Sequence, residues 1–427
     1  MSAGLRAAVS PLVGLVPRVE SCLAATSDPP LPTSVCALAP DSALLGAGLE
    51  HVEMTSGAER SPGAAADAAL GEAIERYSAT FVPTERIVVA SAAELGGAAV
   101  DPSRFALFAD SQYRRPGFPF VRFDEHTRVP WVRGRALRDG GPAWLPAELV
   151  FLGDLAPPAR IGYATSSGAA CAAGPAAAIV RGLYELVERD AFMLVWRNRL
   201  SLPLLDWRGR RKLRELDDRY FAPTGLVYAA VDLSAIHDVP SVLAVVRARR
   251  GPGALGIGAG TAASPGRAWW KALCEAFAAH AAARRLAVLE PAALVADDVA
   301  SFRDHIRYHA SCEGAESARF LDASSERVDI RELRALAGGV TAQIEALLDR
   351  IERAGSSAYA VDVTAPDVRR LGIHVVKTLA PELCALDVSH RARFLGGQRI
   401  LDAACELGLL ARPLRVDELN SDPHPFP

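Results

Sequence analysis

Residues 174–192 read GPAAAIVRGLYELVERDAF, a stretch that opens on a helix-starting proline and then keeps apolar residues at helical spacing. Its YELVERD, Tyr184 to Asp190, shares the pattern E-x-x-E-R with GEAIERY, Gly71 to Tyr77, far earlier in the chain. On a helix of 3.6 residues per turn, positions i, i+3 and i+4 lie on one face. Glu72, Glu75 and Arg76 therefore point together, as do Glu185, Glu188 and Arg189. Two acidic claws result, each with a basic neighbour. They are either helical ion pairs on solvated faces, each contributing a few tenths of a kcal/mol, or parts of a site that needs several carboxylates.

The 427 residues are half hydrophobic, enough for a large core, and the net charge of −3 gives no basic field to hold a phosphate backbone. Nucleic acid is thereby excluded as a main partner. Pro11, Pro17 and charges interrupt the start of the chain, so it reads neither as a signal peptide nor as a membrane span, and no later apolar run approaches the ~20 residues a span needs. The expectation is a cytoplasmic protein without membrane attachment. Seven cysteines form no C-x-x-C pair, which fits reduced, packed thiols and no structural metal.

Around the claws, the chain alternates irregularly between sheet and helix, with neither a repeat nor a low-complexity linker. The fold class is α/β (mixed α+β), read as one large domain over residues 1–427. Residues 1–60 form a strand-and-loop region packed on it, and 421–427 a proline-rich tail. Helices are expected over Ala64–Thr80, from Pro175 to about Arg199, from Pro265 with Ser264 as N-cap, over Val299–His309 and over Asp329–Arg353. Strands are expected near Arg86–Ala90, Trp131–Leu137, Ala147–Leu152, Gly225–Leu233, Pro240–Ala248, Tyr359–Val363 and His374–Ala380.

Like charges gathered on several helices raise one another's pKa unless a cation neutralises them. Magnesium suits oxygen ligands and is usually shared with substrate phosphates, which arginines clamp bidentately. Helices bearing Glu, Glu and Arg could bind Mg-ATP without the standard phosphate loop, which this sequence lacks. Weaker signals remain. Gly256, Gly258 and Gly260 mark close backbone packing rather than a dinucleotide fingerprint. Cys171 reads as a packed thiol, and His305 and His309, at i,i+4, lack a convincing third metal ligand. The final PHPFP puts Pro423, Pro425 and Pro427 at alternating positions, a stiff and extended segment.

Taken together, GEAIERYSA, the block YATSSGAACAAGPAAAIVRGLYELVERDAFMLVWRNRL, KALCEAF, DVTAPDVRRLGIHVVKTLAPEL and the terminal PHPFP resemble the YcaO family over Val9 to Pro427. The resemblance implies a YcaO-type fold with ATP and Mg2+ held by glutamates and arginines of three helices, the two claws being two walls of one nucleotide site. The nucleotide-binding residues it implies are Glu72, Glu75, Arg76, Ser167, Glu185, Glu188, Arg189 and Glu275, with the five glutamates as metal ligands. Pro423, Pro425 and Pro427 match the catalytic tail of the cyclodehydratase members.

The implied activity is ATP-dependent conversion of Cys, Ser or Thr residues of a ribosomal precursor peptide to thiazolines or (methyl)oxazolines, by phosphorylation of the amide oxygen. Implied partners are that peptide, a separate leader-peptide-binding protein of the E1-like (ThiF-like) class, a flavin-dependent azoline dehydrogenase and a second copy in a homodimer. Three positions depart from the family pattern: Ala68 for serine, Gly57-Ala58-Glu59-Arg60 for a lysine-bearing G-K-G segment, and Lys271 with Ala278 for glutamines. They leave two further readings open. One is thioamide or amidine formation; the other is a catalytically impaired scaffold subunit of a modifying complex.

Overall fold

Ser61 is extended and its hydroxyl accepts the Ala64 N–H, with Pro62 next in line, so helix α1 (Pro62–Thr80) starts where the capping signal lies. The computed structural model describes residues 3–38, 54–248 and 254–427. Helix α2 (Pro175–Arg197) likewise begins on a proline and stops just before Arg199, whose φ is +51°. Helix α3 (Pro265–Leu289) is capped by Ser264, whose hydroxyl accepts the Arg267 N–H. All three long helices thus sit where the spacing predicts them.

Contacts divide the chain into two compact units. The first gathers the residues up to Leu23, Leu31–Leu186 and Gly339–Leu383. Among its described residues is a six-stranded antiparallel sheet, in the order Ile87–Ala90, Val129–Ala136, Tyr359–Asp362, His374–Leu379 and Ala169–Ala172, with Pro142–Pro146 also paired to Val129–Ala136. Ile74 of α1 enters a core of Val132, Leu145, Phe151, Val361 and Val375. A second, three-stranded sheet joins Val19–Cys22, Thr33–Cys36 and Thr55–Ala58, the strands expected in 1–60; residues 39–53 of that region lie outside the described residues.

Two expected elements are corrected here. Ala147–Leu152 is not a strand: the strand is Pro142–Pro146, and Ala147–Leu149 turns as a short 3-10 segment. Apolar content misled the reading because Pro142 and Pro146, which weaken ladders, are tolerated as the first and last residues of this short strand. The helix expected over Asp329–Arg353 is only Val340–Arg353, because Gly338 (φ +93°) and Gly339 break the chain before it and Arg327–Asp329 pairs as a strand with Leu204–Asp206.

The second unit gathers Ala24–Pro30, Val187–Gly338 and Cys384–Pro427. Its sheet runs Leu255–Thr261, Ser241–Arg247, Val227–Asp232, Leu204–Asp206 and Arg327–Asp329. Helix α3 lies directly on Leu255–Thr261. A Cβ at Gly256 would stand 2.3 Å from the Ala276 carbonyl oxygen, at Gly258 2.4 Å from the Glu275 Cβ, and at Gly260 2.2 Å from the Ala268 carbonyl oxygen. The three glycines are the seat of the helix that carries Glu275. Gly258→Val should therefore destabilise the fold by about 1–3 kcal/mol through overpacking. Urea unfolding of the variant checks this, and a midpoint equal to that of the parent would contradict the seating.

Candidate functional site

In the first unit, α1 and the N-terminal part of α2 bring Glu72, Glu75 and Glu185 into electrostatic contact. Arg76 Nη2 donates to Glu72 Oε1 at 2.8 Å, the i,i+4 pair that the spacing predicts. Burial, then Glu185 and Glu72, push the Glu75 carboxyl well above the ordinary range, while Arg76 and Lys377 offset part of the effect. Lys377, on the strand His374–Leu379, is 4% exposed and donates to the Thr165 and Ser167 carbonyl oxygens at 2.5 and 2.6 Å. Burial lowers its pKa to about 8 against the pull of Glu185 and Glu75. Ser167, which is buried, is thereby fixed to the same cation. Every acid of this group offers oxygen. That donor set fits a hard divalent ion with phosphate oxygens around it.

The second unit begins with the next turn of α2. Glu188 is 1% exposed; Oε2 accepts the Thr261 N–H at 2.6 Å and Oε1 accepts from Arg189 Nη1 at 3.1 Å. Lys271 Nζ donates to both oxygens, at 3.2 and 3.1 Å, and lies 3.8 Å from Glu275 Oε1. Although 35% of the Glu275 side chain reaches solvent, the protein mass around it pushes the carboxyl up to about 7, with Lys271 opposing and Glu188 reinforcing. Here acids and cations balance.

Asp190, the residue after the second claw, is fully buried and accepts from His237 Nε2 at 2.7 Å, Arg399 Nε and Nη2 at 2.8 and 2.6 Å, and the Cys384 N–H at 2.8 Å. Burial works against its ionisation, but Arg399 and His237 outweigh it and hold the carboxyl well below the usual range. The equivalent position after the first claw is Tyr77, whose hydroxyl donates to Asp367 at 2.7 Å. The two copies of E-x-x-E-R are thus anchored by different partners.

The tail PHPFP is docked, with Pro423 to Phe426 buried. Proline contributes carbonyls and no N–H, and the second unit supplies matching donors. Arg197, fully buried and paired with Asp387 at 2.7 Å, donates through Nη1 to the carbonyls of Asn420 and Asp422. His309 Nε2 faces the Pro423 carbonyl at 2.8 Å and His305 Nδ1 the His424 carbonyl at 2.7 Å. The Phe426 ring lies 4.1 Å from the Arg189 guanidinium carbon, a cation–π contact that joins the tail to the second claw.

The histidine pair at i,i+4 therefore holds the tail. His305, Asp387 and His424 present ligand-type atoms within 4.8 Å of one another, yet all four ring nitrogens are engaged: His305 faces the His424 and Val388 carbonyls, and His424 faces the Asp387 carbonyl and the Phe426 N–H. Cys171 is a packed thiol as expected, pushed up to about 12 by burial and Glu75. Lys377, Asp190, Arg197 and the histidine anchors were not assigned roles by sequence reading. The only available signal was charge inside apolar segments, as in HVVKTLA and AFMLVWRN.

Burial keeps His309 near 4, lowers His305, and holds His280 and His390 at about 4 and 3, with His424 well below its ordinary value. An unfolded chain would protonate all five near 6.5, so it binds more protons than the fold and stability must fall as pH drops from about 6.5 to 4. His309→Gln should flatten that slope by up to about 1.4 kcal/mol per pH unit. Denaturant unfolding at stepped pH measures it, and an identical slope in the variant would contradict a neutral His309.

A family model for YcaO, described as YcaO cyclodehydratase, ATP- and Mg2+-binding, matches residues 56–384. A search of curated proteins gave no match. Among solved structures, a heterocyclase in complex with substrate and cofactor is similar at TM-score 0.78 and 22% identity, over 100% of this chain and 57% of that one. The heterocyclase TruD is similar at TM-score 0.68 and 25% identity, over 84% of this chain and 50% of that one. The chain thus spans little more than half the length of these two proteins. YcaO from Methanopyrus kandleri, bound with AMPPCP and Mg2+, is similar at TM-score 0.62 and 21% identity, over 88% of this chain and 89% of that one. Among the described residues no helix is long and apolar enough to cross a membrane. With the family model covering most of its length and these folds alongside, the chain belongs to the YcaO family, whose cofactors are ATP and Mg2+.

Proposed function

We propose that the protein is an ATP-dependent peptide cyclodehydratase that forms azolines in a ribosomally made precursor peptide. The observation that carries this reading is the meeting of the carboxylates Glu72, Glu75 and Glu185 in a chain of the YcaO family. In this reading Glu72, Glu75, Glu185, Glu188 and Glu275 are the acids that line the Mg2+–nucleotide site, and Arg76, Arg189 and Ser167 help to hold ATP. When bound, ATP and Mg2+ supply the phosphoryl group that turns a peptide amide oxygen into a leaving group, so that a neighbouring Cys, Ser or Thr side chain closes the ring with net loss of water.

The chain's own residues prepare that chemistry. Glu75, pushed up by burial and by Glu185 and Glu72, is the acid of the group that an incoming cation would relieve most. Lys377 ties the Thr165–Ser167 loop to the carboxylates. The prolines at 423, 425 and 427 stiffen the docked tail and remove its N–H at alternate positions, holding Phe426 against Arg189; in this reading they are its catalytic residues. The solved complex of microcin synthetase McbBCD with pro-MccB17 is a fold relative at TM-score 0.57 and 14% identity. That complex supports a precursor peptide and partner proteins here; a leader-peptide-binding protein, a flavin-dependent dehydrogenase and a homodimer in the cytoplasm are what the family resemblance implies.

Mg-ATP at about a hundred times its dissociation constant should stabilise the native state by roughly 2.7 kcal/mol, visible as a raised melting temperature. Glu75→Gln and Glu188→Gln should each lose that shift and lower ATP-dependent dehydration of the peptide by orders of magnitude, read as peptide mass. Full activity in both would refute the assignment. Removing Pro425–Pro427 should impair dehydration while the nucleotide-induced shift persists; an active truncation would leave the tail no catalytic part.

A further inference from the structure

Glu188 has every acceptor direction taken. An ionised carboxylate offers about four lone-pair directions. Oε1 receives Arg189 Nη1 and Lys271 Nζ, and Oε2 receives the Thr261 N–H and the same Lys271. Lysine on a surface normally leaves its ammonium in water. Lys271 is instead drawn onto a carboxylate that is 1% exposed, with 39% of its own side chain still facing solvent, and it also reaches Glu275 one turn further along α3. Helix α3 is seated on Gly256, Gly258 and Gly260, so the stem of Lys271 starts from a fixed backbone.

Glu188 and Glu275 are met by Arg189 and Lys271. A divalent ion needs open oxygen positions at about 2.0–2.1 Å and uncompensated negative charge. At Glu188 such an ion could bind only by displacing Lys271.

We propose that Lys271 is a built-in counter-cation that occupies the place of a divalent ion at Glu188 and Glu275, so that the protein loads nucleotide with one metal ion fewer than its carboxylates alone would hold. This rests on reading those glutamates as part of the metal–nucleotide site. It turns Lys271 from a lost polar contact into a positioning residue: the ammonium holds Glu188 in place against the Thr261 N–H at any free magnesium concentration.

The test is a titration of the full-length protein with Mn2+, free ion being read by electron paramagnetic resonance, with and without a non-hydrolysable ATP analogue. Lys271→Met should take up one more Mn2+ per chain than the parent, and Lys271→Arg, which keeps the charge, the same number as the parent. The methionine variant should also melt lower without metal and recover with Mn2+, which loss of packing alone would not produce. Equal stoichiometry in Lys271→Met and parent would overturn the proposal. Absence of analogue-dependent uptake in every protein would instead overturn the nucleotide reading, and the titration without analogue would still decide Lys271: an extra ion in the methionine variant supports it, equal numbers defeat it. If Lys271→Met does not fold, Lys271→Gln is read in the same way.

Discussion

Carboxylates crowded in partly desolvated surroundings repel one another and lose solvation together, and the rest of the site exists to manage that cost. In the first unit Arg76 and Lys377 offset part of what burial, Glu185 and Glu72 impose on Glu75, whose carboxyl stays well above the ordinary range. In the second, Arg189 and Lys271 meet Glu188 and Glu275 directly. A site that stored no purpose in its acids would have replaced them with apolar residues, since a buried ionic group seldom stabilises more than a well-packed hydrophobic one of the same size.

Placing those acids depends on backbone economy elsewhere. Small residues on the buried face of α1, and the absence of side chains at Gly256, Gly258 and Gly260, let helices lie close against strands. Glu275 then projects from a helix whose position is set by main-chain contact. Proline works in the complementary sense at the C-terminus. By removing N–H groups it leaves a run of acceptors, and the second unit meets them with Arg197, His305 and His309 rather than with another strand. The docked tail brings Phe426 beneath Arg189, so the guanidinium is bracketed by an aromatic face and a carboxylate.

Much of this was legible in the sequence. Periodicity, Ser–Pro and Gly–Pro starts, and the E-x-x-E-R spacing determined the three long helices, the shared face of each claw and the Glu72–Arg76 pair, because those depend on neighbours within one or two turns. Glycine at alternate positions announced close packing of Leu255–Thr261. Where local signals conflicted, the reading failed: the apolar run Ala147–Leu152 was set against prolines one strand earlier, and Gly338–Gly339 cut a helix that its flanks would have supported.

What only the tertiary structure decided is which distant charges meet. Nothing local to Lys377 says that it faces Glu75 and Glu185, nor does anything around Asp190 name Arg399 and His237 as its partners. Lys271 was visible as a departure in its motif, and its place on Glu188 was not. Helical spacing is a property of a few consecutive residues, whereas charge compensation between elements is settled by long-range packing, where sequence separation carries no information about distance.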